Sequence, residues 1–270
     1  MRSLLLHVHD EPAFDARLQV ALDLARAFKS HLTLLHTIPF TMVMPIDPYG
    51  MTAAELSPSA KVAADEFRIR IEARLTGEDV AWDWAAEFGL ASSQILEHAA
   101  LSDLAILGAG NSDDSKSASK LAGMLAMQCR TPILVVPDKA RGIDPGGAAV
   151  VCWNGSQEAS RALRAAVPLL QAASAVTLIQ VAETDEQEEG LLPPTAAARF
   201  LNRHDIDCEI AEIARDGRNV GALLRDEAQA REAHFMVMGA YGVPRLFETL
   251  FGGVTRTVLT DPQVPVLLAH

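Results

Sequence analysis

The sequence has few cysteines and no long hydrophobic run, and both absences narrow the class of protein. The 270 residues include only three cysteines, Cys129, Cys152 and Cys208. An odd and widely spaced set does not form a disulfide framework, so we expect a reducing, cytoplasmic location. No apolar run approaches the ~18 residues of a membrane span, and the first residues turn polar too soon for a signal peptide. We therefore expect no membrane partner.

Positive charge is also scarce. The chain carries 23 basic and 35 acidic residues, a net charge of −12. Residues 1–140 hold 12 basic and 18 acidic residues and residues 141–270 hold 11 and 17, so no part is basic. This balance argues against a nucleic-acid partner. Residues 141–270 contain no lysine, which excludes a Walker A phosphate-binding lysine there. Hydrophobic residues make up 49% of the chain, enough for a large core.

Apolar segments alternate between strand-like and helix-like spacing, and the order repeats. Short joints between strand, helix and strand predict parallel sheets. Thr33-Leu34-Leu35 matches Thr177-Leu178-Ile179 at an offset of 144, and Gly108 matches Gly239 at 131. Pro132 and Pro265 open matching final strands. We predict an α/β chain of two tandem domains, 1–138 and 148–270, joined by a linker around Pro137–Gly147.

A glycine pattern in the second copy indicates a phosphate-binding loop. The apolar run His234–Met238 ends on Gly239, Gly242 follows three residues on, and Gly252 and Gly253 open a predicted helix. Glycines at a strand end let the backbone approach a ligand closely. A helix start presents free N–H groups and a positive dipole end, which suit phosphate.

The whole chain resembles a tandem universal stress protein. The specific part is Gly-x-x-Gly, nine residues, then glycine, seen as Gly239, Gly242 and Gly252; Asn154-Gly155-Ser156 and the Pro-Val-Leu closing strand support it. The resemblance implies two open five-stranded parallel sheets of order 3-2-1-4-5 with helices on both faces, an adenine nucleotide alpha hydrolase-like fold. It also implies that the closing strands Ile133–Val136 and Val266–Leu268 pair with each other, with a homodimer as a further option.

The resemblance implies a ligand above the strand ends of the second copy. Asn154 stands where the family has an aspartate near the adenosine, and the backbone of Val181 would meet the adenine. Met238 and Gly239 would line the ribose and phosphate side. The phosphate loop would comprise Gly242, Gly252, Gly253, Val254 and Thr255. The implied cofactor is ATP or another adenine nucleotide, with or without Mg²⁺, and an empty site stays an equal alternative.

Two departures weaken the likeness to an ATP site. Gly253 replaces the hydroxyl residue that the family has after the third glycine, although Thr255 offers a hydroxyl two positions on. Asn154 keeps an acceptor but lacks the charge of aspartate. The first copy lacks the second glycine, and Asp113 and Asp114 follow in its loop, so we expect no triphosphate there.

Other candidate features favour ordinary structural roles. His7, His9 and His36 lie near strand ends, but no carboxylate or cysteine completes a recognised metal-ligand spacing. Met42, Met44 and Met51 indicate either a flexible apolar lid or an ordinary crossover loop. Trp82 and Trp84 fit the core and sheet surface better than a ligand platform. Ser156 fits a helix entry better than a nucleophile, because no base stands at a recognisable spacing.

The sequence therefore supports a stress-response protein that binds an adenine nucleotide in its second domain and acts as a regulator or adaptor. Hydrolysis, if any, would be slow, since no water-activating residue is evident. One alternative is an interaction module in which both sites are vestigial. Another is a binder of a different small metabolite, for example under the Met42–Met51 loop.

Overall fold

The computed structural model describes residues 1–38, 58–110, 118–182, 191–240 and 253–270, with only the helical backbone for 58–60 and 118–119. The first half contains nine elements: β1 (Ser3–Val8), α1 (Phe14–Phe28), β2 (His31–Ile38), α2 (Pro58–Leu75), β3 (Ala81–Phe88), α3 (Ala91–Ala99), β4 (Leu104–Gly108), α4 (Ala118–Gln128) and β5 (Ile133–Val136). Strand and helix alternate, as the spacing predicted.

The second half repeats this order. Its elements are β6 (Ala148–Cys152), α5 (Gln157–Leu170), β7 (Ala175–Ala182), α6 (Pro194–Asn202), β8 (Glu209–Ala214), α7 (Val220–Ala230), β9 (Phe235–Gly239), α8 (Gly253–Thr260) and β10 (Val266–Ala269). β2 and β7 have matching bounds at an offset of 144, and β4 and β9 at 131. These are the offsets read from the sequence, so the internal repeat is structural. We call the halves the first repeat and the second repeat.

All ten described strands form one sheet of order β3-β2-β1-β4-β5-β10-β9-β6-β7-β8. Within each repeat the order is 3-2-1-4-5 and the pairing is parallel. The predicted fold class is confirmed. The two five-stranded sheets are continuous, because β10 pairs antiparallel with β5 through Val266↔Val135, Leu267↔Leu134 and Leu268↔Ile133.

Helices cover both faces of the sheet. One hydrophobic cluster holds the inner sides of α1, α2, α5 and α6, and the other holds those of α3, α4, α7 and α8. Central strands such as β1 and β5 are buried on both faces, which explains why both are rich in Leu and Val and do not alternate apolar and polar residues. β3 and β8 are the outer strands of the sheet. Their side chains alternate between exposed and half-buried because helices cover these strands only in part.

The linker between the repeats is packed against α1. Ile143 is buried, and its backbone N–H donates to Asp23 Oδ2 at 3.0 Å. Gly142 has φ +148°, and a Cβ there would lie 2.5 Å from Asp23 Oδ2. The Pro- and Gly-rich segment is therefore an ordered connection. Among the described helices, none is both long and apolar enough to cross a membrane.

Candidate functional site

The second repeat contains a topological switch point at the carboxyl edge of the sheet. β6 and β9 are neighbours, with Cys152 paired to Met238. The chain leaves β6 through α5 on one face of the sheet, and α8 follows β9 on the other face. In open α/β sheets the crevice for a ligand lies between two such strands. We call this place the β6/β9 crevice.

The turn after β6 begins α5 with a well-formed cap. Ser156 has extended backbone, and its hydroxyl accepts from the Ala159 N–H at 3.1 Å. The predicted helix entry at Ser156 is confirmed. Asn154 is exposed, and its Oδ1 accepts from the Ser156 N–H at 3.2 Å. The acceptor oxygen of Asn154 is thus engaged within the turn.

A segment before α6 supports the same turn. Trp153 is buried and its Nε1–H donates to the Leu192 carbonyl at 3.0 Å, while the Leu192 N–H donates to the Gly155 carbonyl at 3.0 Å. Gly155 has φ +78°, and a Cβ there would lie 2.6 Å from the Leu192 oxygen. Glycine is required at this position both for its conformation and for space.

Gly239 lies against the first turn of α5. A Cβ at Gly239 would lie 2.5 Å from the Ala159 nitrogen and 2.7 Å from the Glu158 carbonyl carbon. These are backbone atoms and cannot move aside cheaply. Close packing of helix on strand is therefore sufficient reason for glycine here, whether or not a phosphate also binds.

α8 begins on the opposite side of the crevice. Gly253 is exposed, and a Cβ there would meet no atom of the described residues within 4 Å. Val254 is half-buried and its carbonyl lies beside Gly221 of α7. Thr255 is 4% exposed, so the hydroxyl anticipated there belongs to a buried side chain. Gly242 and Gly252, the other two predicted loop residues, lie outside the described residues.

The remaining predicted residues lie on the strands beside the crevice. Val181 is the second-last residue of β7, half-buried and paired with Ile213 of β8. The Met238 side chain is buried in the second hydrophobic cluster. Near the end of β9, only the backbone of Met238 is therefore available to line the crevice. The structure thus places Asn154, Val181, Gly239 and Gly253 at strand or helix ends of one sheet edge.

The equivalent place in the first repeat is filled by an arginine. The Arg17 side chain is 3% exposed, and its Nη2 donates to Glu11 Oε1 at 2.7 Å. A Cβ on Gly108, the counterpart of Gly239, would lie 2.3 Å from Arg17 Nη1. The counterpart of Arg17 in the second repeat, Arg161, is exposed. This asymmetry is a physical reason why the two crevices differ.

Sequence reasoning missed Arg17 as a functional residue, although its position on a helix could have indicated it. It stands four residues before Ala21 on the apolar side of α1, where a charge is unexpected. Asp138 lies nearby. Burial is the main cause that raises the pKa of the Asp138 carboxyl, and the Glu11 charge adds to it, while Arg17 acts in the opposite direction. Asp113 and Asp114, the expected repelling charges of the first repeat, lie outside the described residues.

The histidines do not form a metal site in the described part of the chain. His7 is buried and its Nε2 lies 2.9 Å from Thr37 Oγ1. Burial, reinforced by Arg17, lowers the pKa of His7 to about 3. His9 follows the end of β1 and is exposed. No group of three potential ligands converges among the described residues.

The second repeat matches a known protein family. The model of the universal stress protein family matches residues 148–270. A universal stress protein from Archaeoglobus fulgidus DSM 4304 is 14% identical over 99% of this chain and 96% of that chain, with a TM-score of 0.74. A functionally unknown protein from Pseudomonas aeruginosa PAO1 is 20% identical over 100% of this chain and 92% of that chain, with a TM-score of 0.56. No curated protein matches the sequence.

A universal stress protein has also been solved in complex with cAMP; it is 19% identical over 47% of this chain and 99% of that chain, with a TM-score of 0.36. Residues 148–270 therefore form a universal stress protein domain, and the N-terminal half carries a second copy of the same fold.

Proposed function

We propose that this protein binds an adenine nucleotide, ATP, ADP or AMP, in the β6/β9 crevice of the second repeat. The observation that carries the proposal is the start of α8 at Gly253, which is exposed and whose Cβ position is free of contact with the described residues. Free N–H groups and the dipole of a helix start favour a phosphate. The start of α5 at Ser156 lies on the other side of the crevice.

The first repeat would not share this activity. The buried Arg17 pairs with the partly exposed Glu11 over Gly108, so the space that faces the strand ends is occupied by side chains of the chain itself. We propose one nucleotide site per chain and regulation through its occupancy, with the protein acting as an adaptor. Mg²⁺ would accompany a di- or triphosphate through the phosphate oxygens, which suits its preference for oxygen ligands.

An interaction module without nucleotide is the second candidate, and a specific observation favours it. Gly239 is explained by its contact with α5, and the Asn154 oxygen is engaged within its own turn. Both residues could thus be retained for folding alone. Because β5 and β10 pair with each other, a partner or a second copy would have to use a different surface, such as the outer strands β3 and β8.

The variant Gly253→Asp separates the two candidates. Its side chain has open space, and an acidic residue in the first turn of a helix is favourable, so the fold should be retained. The carboxylate would lie where a phosphate would bind, and we expect calorimetry to show ATP binding at least tenfold weaker. Gly253→Asn is the matched neutral control and should retain binding. Equal ATP affinity in wild type and Gly253→Asp would refute the nucleotide proposal at this crevice.

A further inference from the structure

The first repeat contains a cavity that belongs to neither crevice. It lies between α2 and the carboxyl ends of β2 and β3, at the outer part of the sheet, and measures about 190 Å³. None of the predicted site residues lines it. A cavity of ~150 Å³ can hold a benzene ring, so this volume suits one ring with a small substituent. It is therefore of a size to bind a small molecule.

Aromatic side chains form one wall of the cavity. His36, Trp84 and Phe88 line it from β2 and β3. The His36 ring packs edge-on against Trp84 at 5.6 Å and against Phe67 at 5.1 Å, so the wall is held in place from behind. Phe88, the last residue of the outer strand β3, is 39% exposed. Trp84, expected to serve only the core and the sheet surface, also lines this cavity.

His36 carries a polar atom that the fold does not satisfy. The residue is 8% exposed, and its Nδ1 is buried without a hydrogen-bond partner among the described residues. Burial lowers the pKa of His36, so the ring is neutral near pH 7 and has one donor and one acceptor nitrogen. Buried polar atoms in folded proteins nearly always have a partner, and an orphan next to a cavity is the place for a bound water or ligand group.

Two cations stand at the opposite wall, on α2. Lys61 and Arg68 both line the cavity and are seven residues apart, on one side of the helix, with Asp65 between them. Arg68 Nε donates to Glu72 at 2.7 Å, so part of its charge is already balanced. Lys61 has no carboxylate partner among the described residues. Asp65 also lines the cavity but forms no ion pair with Lys61 among the described residues, so the Lys61 ammonium is available to attract an anion at the aromatic wall.

We propose that this cavity binds a small planar aromatic carboxylate, with its ring against Trp84 and Phe88 and its carboxylate toward Lys61. Aromatic rings prefer edge-to-face or offset contacts with such a wall. The rim cation would supply orientation, as charged groups do in mostly apolar pockets. This site is independent of the nucleotide proposal, because it lies in the other repeat.

Benzoate is the probe for this proposal, measured by ligand-observed NMR on the full chain. A ligand of its size in a partly open cavity should bind with a Kd on the order of 1 mM. Ala64→Phe fills the cavity from α2 and should abolish saturable binding, while Ala198→Phe, at a shallow groove on α6 of the second repeat, should not. Absence of saturable benzoate binding, or equal binding by both variants, would overturn the proposal.

Two comparisons test the chemistry of the ligand class. Lys61→Gln should weaken benzoate binding roughly two- to fivefold, whereas Lys29→Gln, the same charge change at the opposite edge of the sheet, should leave it unaltered. Cyclohexanecarboxylate should bind more weakly than benzoate because it lacks the planar ring. An unchanged affinity in Lys61→Gln, or equal binding of the two acids, would refute the assigned ligand class. Addition of ATP should not displace benzoate.

Discussion

Replacing Gly239 with alanine tests how closely α5 packs on β9 in the second repeat. The new methyl group would lie 2.5 Å from the Ala159 nitrogen and 2.7 Å from the Glu158 carbonyl carbon, both backbone atoms of α5. The helix would have to shift away from β9. Overpacking of this kind costs about 1–3 kcal/mol. Loss of glycine freedom in the unfolded chain offsets about 0.4–1 kcal/mol of that. We expect a net fall in unfolding free energy of roughly 1–2 kcal/mol.

Urea unfolding followed by far-ultraviolet circular dichroism provides the assay, with Gly253→Ala as the matched control. Gly253 has open space around its Cβ position and begins a helix, so alanine there should be neutral or stabilising by up to about 1 kcal/mol. If Gly239→Ala is as stable as wild type, α5 does not pack on β9 as described. If both variants lose equal stability, glycine flexibility and not close contact is the cause.

Three further predictions concern other parts of the fold. Glu11→Gln should lower the unfolding free energy by on the order of 3 kcal/mol, because the buried Arg17 charge would lose its paired carboxylate. Arg17→Met should lower the unfolding free energy by less. The reverse order in urea titrations would contradict the pairing of Arg17 with Glu11. Burial lowers the pKa of His7 to about 3 in the fold, against 6.5 in the unfolded chain. Between these pH values the unfolded state binds one more proton than the folded state, so stability falls as pH drops from about 6.5 toward 3. His7→Gln should flatten this part of the pH profile of unfolding, and an unchanged slope would refute the prediction. Ser156→Ala should cost about 1 kcal/mol through loss of the α5 cap, and thermal unfolding against Ser174→Ala, outside any helix, should show the difference.

The repeated topology could be predicted from the sequence because it rests on local periodicity and on matching segments. The offset between Thr33-Leu34-Leu35 and Thr177-Leu178-Ile179 is the offset between β2 and β7. Parallel strand order followed from the resemblance and is confirmed. The merging of two sheets into one depends on which residues of β5 and β10 face each other, and that register is a long-range property.

The site was harder to predict than the fold, and particular residues show why. Gly239 fits a phosphate loop and a tight helix contact equally well, and only the position of α5 reveals the second role. Thr255 looks like a free hydroxyl in sequence, yet the packing of α8 buries it. Arg17 and the cavity beside His36 arise from side chains far apart in the chain, which no spacing rule brings together.

The stoichiometry of ATP binding tests the central claim most directly. Equilibrium dialysis of the full chain against labelled ATP, with and without Mg²⁺, counts the sites. The filled crevice of the first repeat and the open start of α8 in the second predict one ATP per chain at saturation. Two ATP per chain would contradict the role assigned to Arg17, and none at millimolar ligand would contradict nucleotide binding altogether.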